Sequence, residues 1–216
     1  MKKYGVLAPA SAVTTLVASS LAAYLSHGIP WATVESAELL HFGAIDRETL
    51  GAHGIWRLFT SQLVHVKQAH MLFNVVLSWI LGLSLERKLG SSRFFVTYWA
   101  GGTAGLPESV LFYPQYVSSG ASQALVAVCA GLLVLSRHGL KSSRAVKILT
   151  LAVLAIQLAL DIYVNRLPKA GHVVGFLAGG ILSYGFLIRK ASPETGNKRS
   201  QIEFRQSRGA SATPSP

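Results

Sequence analysis

Six apolar runs divide the chain, at about Val6 to Leu25, His70 to Leu85, Phe94 to Phe112, Ala121 to Leu135, Ala145 to Val164 and Val173 to Ile188. The hydrocarbon core of a bilayer takes roughly 20 apolar residues per helical span. Runs of this length predict membrane-crossing helices, although the second, fourth and sixth are short or polar at their starts. Composition agrees: 50% of the 216 residues are hydrophobic and only 13% are charged, about half the charged share of a soluble domain. The runs do not alternate residue by residue, which argues against a membrane β-barrel. The expected fold is an all-α membrane protein, a compact bundle of six transmembrane helices forming one domain over residues 1–190. The remainder, 191–216, is polar and rich in Ser and Pro, the composition of a disordered tail. No internal repeat of fixed period is visible.

The formal charge of +11 raises the question of nucleic acid, and its distribution argues against it. The segment before span one, those after spans two and four, and the tail hold 15 of the 20 Lys and Arg, among them Lys2, Lys3, Arg87, Lys88, Arg93, Arg137, Lys141, Arg144 and Arg189, with three acids. The opposite segments hold five bases and six acids. This alternation is the positive-inside pattern. It predicts cytoplasmic termini and a lipid bilayer, not nucleic acid, as the surrounding partner. The first run also resembles a secretory signal peptide, with "LAA" as its cleavage site, but it is long for one and reads as a retained helix. Cys129 is the only cysteine, so no internal disulfide forms; within an apolar span it reads as a small packing residue. The segment from Ser26 to Gln68 carries Trp31, Trp56, "LLHFGAI" and "IWRLFTSQLVHV", which suits a loop lying in the outer interface.

Spans two, four and six all run from outside to inside under this topology, so their first residues share one depth. Polar groups gather there: His70 and Asn74 in span two, Ser122 and Gln123 in span four, His172 in span six. Singly, each has an ordinary structural explanation. A Ser in a span often bonds its own backbone, a His near an interface is often solvated, and glycines at such spacings are usually packing. Their convergence at one depth is the functional signal, because polar groups in a membrane are costly. His70 and Asn74 are four apart and share a helix face. His172, Gly175 and Gly179 also share one, and glycines let a neighbouring helix approach closely. A Ser hydroxyl needs a base to become a nucleophile, and a neutral His serves near pH 7. Asn74, His70 and the backbone N–H groups at the start of span four offer donors for an oxyanion. The set suits acyl transfer. No Asp stands near His172 in the sequence, so a Ser122–His172 dyad is the simplest arrangement. No cofactor is expected. A metal held by His70, His172 and a third His would want a carboxylate-supported motif such as HExxH, and the sequence has none.

At these residues the sequence resembles the rhomboid intramembrane serine proteases, from about Gly43 to Gly180. "WRLFTSQLVH" (56–65) is similar to the family's Trp-Arg loop and the lead to its second helix. "HMLFN" matches its His-x-x-x-Asn. "LGLSLERKLGSSRFFVTY" (81–98) resembles its helix-end segment with Glu86 and Gly90. "GASQ", beginning at Gly120, stands at its Gly-x-Ser-Gly, and "GHVVGFLAGG" resembles its His-x-x-Gly helix. Each motif is weak alone; in the family order and on the matching spans they are strong together. The resemblance implies Ser122 as nucleophile, His172 as general base, and His70, Asn74 and the Ser122 backbone at the oxyanion. It implies structural roles for Trp56, Arg57, Glu86, Gly120, Gly175 and Gly179.

Two positions depart from that pattern. Gln123 replaces the Gly after the nucleophile; its side chain either crowds the oxyanion site or adds an amide donor to it. Val126 stands where many members carry an aromatic that packs on the catalytic His. The expected function is therefore an intramembrane serine endopeptidase that cleaves transmembrane protein substrates near the outer leaflet. The alternative is a catalytically weak or inactive relative that binds client transmembrane helices. A transporter or channel would need a polar stripe crossing the whole membrane, whereas the inner halves of these spans are apolar. By analogy, the even topology and short length point to a bacterial inner membrane. Neither the client nor the oligomeric state is legible.

Overall fold

A computed structural model describes residues 5–51, 54–112, 117–165 and 169–189. The proposed tail, 191–216, lies outside the described residues. Six long helices carry the fold: α1 (Leu7–His27), α4 (Gln68–Leu89), α5 (Ser91–Phe112), α6 (Ser122–Arg137), α7 (Arg144–Asn165) and α8 (Ala170–Arg189). Two short helices, α2 (Arg47–Gly51) and α3 (Arg57–Thr60), and a 3₁₀ turn at Glu38–Phe42 lie in the loop between α1 and α4. Among the described residues the sheet contribution is one antiparallel bridge, Ile45 to Ser118.

The six expected spans correspond to these six helices, with ends shifted by a few residues. Among the described residues, α1, α4, α8 and the stretch Arg144–Val164 of α7 are long and apolar enough to cross a membrane, and α6 is a shorter apolar helix. The protein is an all-helical membrane bundle. Its outward faces carry Val76, Trp79, Ile80, Leu151, Leu177 and Ile181, all exposed. Lipid contact accounts for such faces, since lipid tails leave apolar side chains nothing to hide from.

The centre of the bundle is α6. Every residue from Ser122 to Leu132 is buried, and a helix that is apolar all round belongs in a core. Leu125, Cys129 and Leu132 pack there with Leu81 and Leu85 of α4, Phe94 of α5 and Val153 of α7. At 16 residues, α6 is about 24 Å long, less than the roughly 30 Å of a hydrocarbon core. A helix this short starts below the bundle's end, which is what puts Ser122 inside the protein. Glycine lets α8 approach it. A Cβ on Gly179 would run into the backbone of Ala127, and one on Gly175 would stand 2.9 Å from the Gln123 carbonyl oxygen.

Polar contacts organise the other end of the bundle. Glu86, near the end of α4, accepts the backbone N–H groups of Val6, Leu7 and Ala8 at 2.9–3.1 Å, and the Ser91 hydroxyl at 2.7 Å. A carboxylate thus caps the start of α1, where unpaired N–H groups and the helix dipole favour negative charge. α1 is thereby built into the bundle. Lys88 Nζ donates to the Lys141 carbonyl at 2.7 Å, and the Arg93 guanidinium lies over the Phe186 ring at 5.8 Å. The basic ends of α4, α5 and α8 and the loop after α6 therefore meet at one end, opposite Ser122.

Candidate active site

The segment that leads into α6 is held from several directions. Ile45 and Ser118 exchange backbone hydrogen bonds at 3.1 and 2.7 Å, Gly120 N–H donates to the Ser61 carbonyl at 2.8 Å, and Ala121 N–H donates to His65 Nε2 at 3.2 Å. Gly120 has φ +107, and a Cβ there would stand 3.3 Å from the His65 ring; the left-handed backbone and the close imidazole both favour glycine. The loop supplying these anchors is itself fixed by Arg57, whose Nη1 donates to the carbonyls of Leu40 and Ala44, each at 2.7 Å. The Arg57 guanidinium also lies 4.6 Å from the centre of the Trp56 ring. Trp56 itself is half exposed.

Three helices deliver the central side chains. Ser122 opens α6, His172 lies in the first turn of α8, and Asp161 lies in the last turns of α7. Ser122 Oγ and His172 Nε2 are 2.8 Å apart. On the far side of the ring, His172 Nδ1 and Asp161 Oδ2 are 2.7 Å apart, and Lys169 N–H donates to the same oxygen at 3.1 Å. All three side chains are buried, at 5%, 9% and 4% exposure for Ser122, His172 and Asp161. The contact of Ser122 with His172 joins the two residues singled out in the sequence. Asp161 is the residue sequence reasoning missed. It stands 11 positions before His172, on the preceding helix, and nothing in that spacing announces the contact.

The expected oxyanion groups lie beside this line. The His70 ring meets the His65 ring edge-on, with centroids 5.7 Å apart, and its Cε1 is 4.0 Å from where a Cβ on Gly120 would stand. Asn74 is completely buried, and its amide nitrogen is 3.2 Å from His65 Nε2. In this structure the Asn74 amide braces His65, a second residue the sequence reading gave no role. Burial, and then the nearness of His70, push the His65 imidazole from its ordinary 6.5 down to about 3. It is therefore neutral in the working pH range, and an acceptor at Nε2. The first helical hydrogen bond of α6 is Leu125 N–H to the Ala121 carbonyl, at 3.0 Å. The N–H groups of Ser122, Gln123 and Ala124 thus precede the helical ladder. Gln123 is buried, and its Oε1 lies 3.3 Å from Ser122 Oγ. Val126 is buried one turn further on.

Such a line gives a hydroxyl a base and gives the base an acceptor. The sequence model described as the Rhomboid domain matches residues 52–189, a stretch that takes in Ser122, His172, Asp161, His65, His70 and Asn74. Curated relatives align over 65% to 71% of this chain. Rhomboid protease GluP of Bacillus subtilis (strain 168) is 30% identical over 154 residues, covering 71% of this chain and 30% of that protein. RHOMBOID-like protein 1 of Arabidopsis thaliana is 32% identical over 158 residues, covering 71% and 40%. Rhomboid-like protease 3 of Toxoplasma gondii is 28% identical over 145 residues, covering 65% and 55%. The matched stretch thus spans between 30% and 55% of these relatives' lengths. With a domain match over well more than half of its residues, on a membrane bundle of this architecture, the chain belongs to the rhomboid family.

Proposed function

We propose that the protein is an intramembrane serine endopeptidase that cuts transmembrane segments of other membrane proteins near the outer leaflet, with Ser122 as nucleophile and His172 as general base. The observation that carries this reading is the 2.8 Å contact between Ser122 Oγ and His172 Nε2, within hydrogen-bond reach for proton transfer.

The reaction follows from that contact. As Ser122 Oγ attacks a peptide carbonyl carbon, its proton passes to His172 Nε2. The carbonyl oxygen becomes an oxyanion, held by His70, by the second N–H of the Asn74 amide and by the backbone N–H at the start of α6. His172 then returns the proton to the leaving amine as the C–N bond breaks, leaving an acyl-enzyme. Water attacks that ester with His172 again as base, and Ser122 is regenerated. A helical client hides its carbonyls in its own hydrogen bonds, so segments containing Gly or Pro should open at lower cost. The basic end of the bundle faces the cytoplasm in this reading, with both termini, and the membrane is a bacterial inner membrane.

The test is cleavage of a tagged transmembrane segment in liposomes, together with labelling by a serine-directed probe. The wild-type protein should cut and label. Ser122→Ala and His172→Ala should each abolish cleavage while still folding, and the two effects should not add because the residues act as a unit. Client capture without cleavage by the wild type would overturn the protease reading in favour of a binding role.

A further inference from the structure

We propose that Asp161 is the positioning residue of His172: its carboxylate holds the imidazole in the tautomer that can accept the Ser122 proton, and stabilises the charge that forms when it does. This rests on the reading of Ser122 and His172 as the catalytic pair, and extends it to a third residue on a third helix.

Three observations carry it. The contact between His172 Nδ1 and Asp161 Oδ2 is 2.7 Å, the length of a charge-assisted hydrogen bond. Both groups are buried. The contact also lies in line with the bond from His172 Nε2 to Ser122 Oγ, on opposite ring nitrogens. An ionised carboxylate is an acceptor only. Facing it, Nδ1 must carry the hydrogen, which leaves the Nε2 lone pair directed at the Ser122 hydroxyl.

Energetics favour the same role. A buried carboxylate is costly unless hydrogen bonds compensate it. Here two N–H groups donate to one oxygen, that of Lys169 and that of His172. When Ser122 attacks, its proton moves to Nε2 and the ring becomes an imidazolium. Asp161 keeps its own charge and receives no proton; it then faces a full positive charge in a water-poor site. The interaction is stronger in the transition state than in the resting enzyme, which is the condition for accelerating the chemical step. The Lys169 N–H bond serves a second purpose: it ties the end of α7 to the start of α8, so carboxylate and imidazole are held in one frame.

The experiment compares the full-length wild-type protein with Asp161→Asn and Asp161→Val in liposomes, and reads the His172 ring nitrogens by ¹⁵N NMR. Asn keeps an acceptor but removes the charge; Val removes both. The wild type should rest with its proton on Nδ1. Asp161→Asn should lose roughly 10²-fold or more in kcat with KM within about twofold. Asp161→Val should lose more and should show the proton redistributed toward Nε2. A purely structural Asp161 would leave the tautomer unchanged in any variant that folds. Wild-type His172 protonated on Nε2, or both variants turning over within about twofold of wild type, would overturn the proposal. A wild type that binds clients but never cuts them would instead sink the protease reading, while the NMR result would still decide the tautomer. If Asp161→Val does not fold, the wild-type spectrum and Asp161→Asn suffice.

Discussion

His65 Nε2 accepts the backbone N–H of Ala121 across 3.2 Å, so an imidazole from the loop before α4 holds the residue immediately before Ser122. Asn74 approaches the same nitrogen, also at 3.2 Å. A backbone N–H can only donate, so Nε2 is unprotonated and the ring hydrogen sits on Nδ1. His65 therefore serves as a fixed acceptor at the start of α6, with Asn74 behind it.

Asn74→Ala and His65→Ala should accordingly act on the same step. Asn74→Ala removes the proposed oxyanion donor and the brace on His65, and should lower kcat by roughly 10²-fold with a smaller change in KM. His65→Ala should lower kcat by about tenfold or more by loosening Ala121. The double variant should be less impaired than the product of the two losses, since residues sharing one contact are not additive. Steady-state kinetics in liposomes read this. A rise in KM at constant kcat would instead place Asn74 in client binding.

The neutral state of His65 has a consequence for stability. Its folded value lies near 3, against an ordinary 6.5. Below pH 6.5 the unfolded chain takes up a proton that the folded protein refuses, so folding becomes less favourable as pH falls. The contribution is fully present above about 6.5 and is lost progressively toward pH 3, at up to about 1.4 kcal/mol per pH unit. His65→Gln removes the titration but keeps an acceptor for Ala121 N–H. Thermal unfolding in detergent from pH 7.5 to 4.5 should show a shallower decline for His65→Gln than for wild type; parallel declines would contradict the neutral buried ring.

How much of this was legible in the sequence follows from what each signal depends on. The spans are set by local composition, so six apolar runs located six helices to within a few residues. Ser122 and His172 were legible because topology alone puts the starts of alternate spans at one depth. Asp161 was not, since a carboxylate near the end of an apolar helix reads equally well as a solvated end residue. Only the folded bundle, which brings the end of α7 beside the start of α8, puts it against His172. His65 was invisible for a related reason: it lies in a loop with no periodicity, and its role comes from a segment 56 residues later. Asn74 and His70 lie one turn apart on α4, but the partner of Asn74, a loop histidine, could not be read from spacing.

Membrane orientation is open to direct measurement. The basic ends of α4, α5 and α8 meet at one end of the bundle, through contacts such as Lys88 with Lys141 and Arg93 with Phe186. The positive-inside tendency then predicts that this end is cytoplasmic. A reporter fused after Pro216 should be cytoplasmic, and one inserted near Glu48, in the loop beside the opposite end, should be external. Both on one side would contradict the five crossings, α4 to α8, expected between these positions.

Close packing of α8 on α6 makes its glycines unequal. A Cβ on Gly179 would collide with the Ala127 backbone, whereas around Gly185 nothing lies within 4 Å. Gly179→Leu should destabilise the bundle by at least about 2 kcal/mol and, because α8 carries His172, should abolish cleavage as well. Gly185→Ala on the same helix should be neutral or should stabilise by up to about 1 kcal/mol. Thermal midpoints in detergent compare the two; equal effects would mean that α8 does not pack on α6 through Gly179.

Gln123 is the position where the site departs most from the family's Gly-x-Ser-Gly. Its Oε1 lies 3.3 Å from Ser122 Oγ, and its Cγ stands 3.1 Å from where a Cβ on Gly105 would be. The side chain is thus folded back against α5 with its carbonyl toward Ser122 Oγ. Ser122 has one hydroxyl hydrogen, and His172 Nε2 at 2.8 Å and Gln123 Oε1 at 3.3 Å both accept it. In the proposed mechanism only the bond to His172 leads to attack, so the bond to Gln123 stabilises the resting state alone. A neutral hydrogen bond contributes about 0.5–1.5 kcal/mol, so Gln123→Ala should raise kcat by roughly two- to tenfold. Gln123→Gly should do the same with some loss of stability, up to about 1 kcal/mol, from the freed backbone at the helix start. The range of residues accepted at the cut should also widen, since the amide no longer fills space beside the carbonyl. A fall in kcat in both variants, of the size expected for one lost oxyanion donor, would mean that the amide turns and donates to the oxyanion when a client is bound.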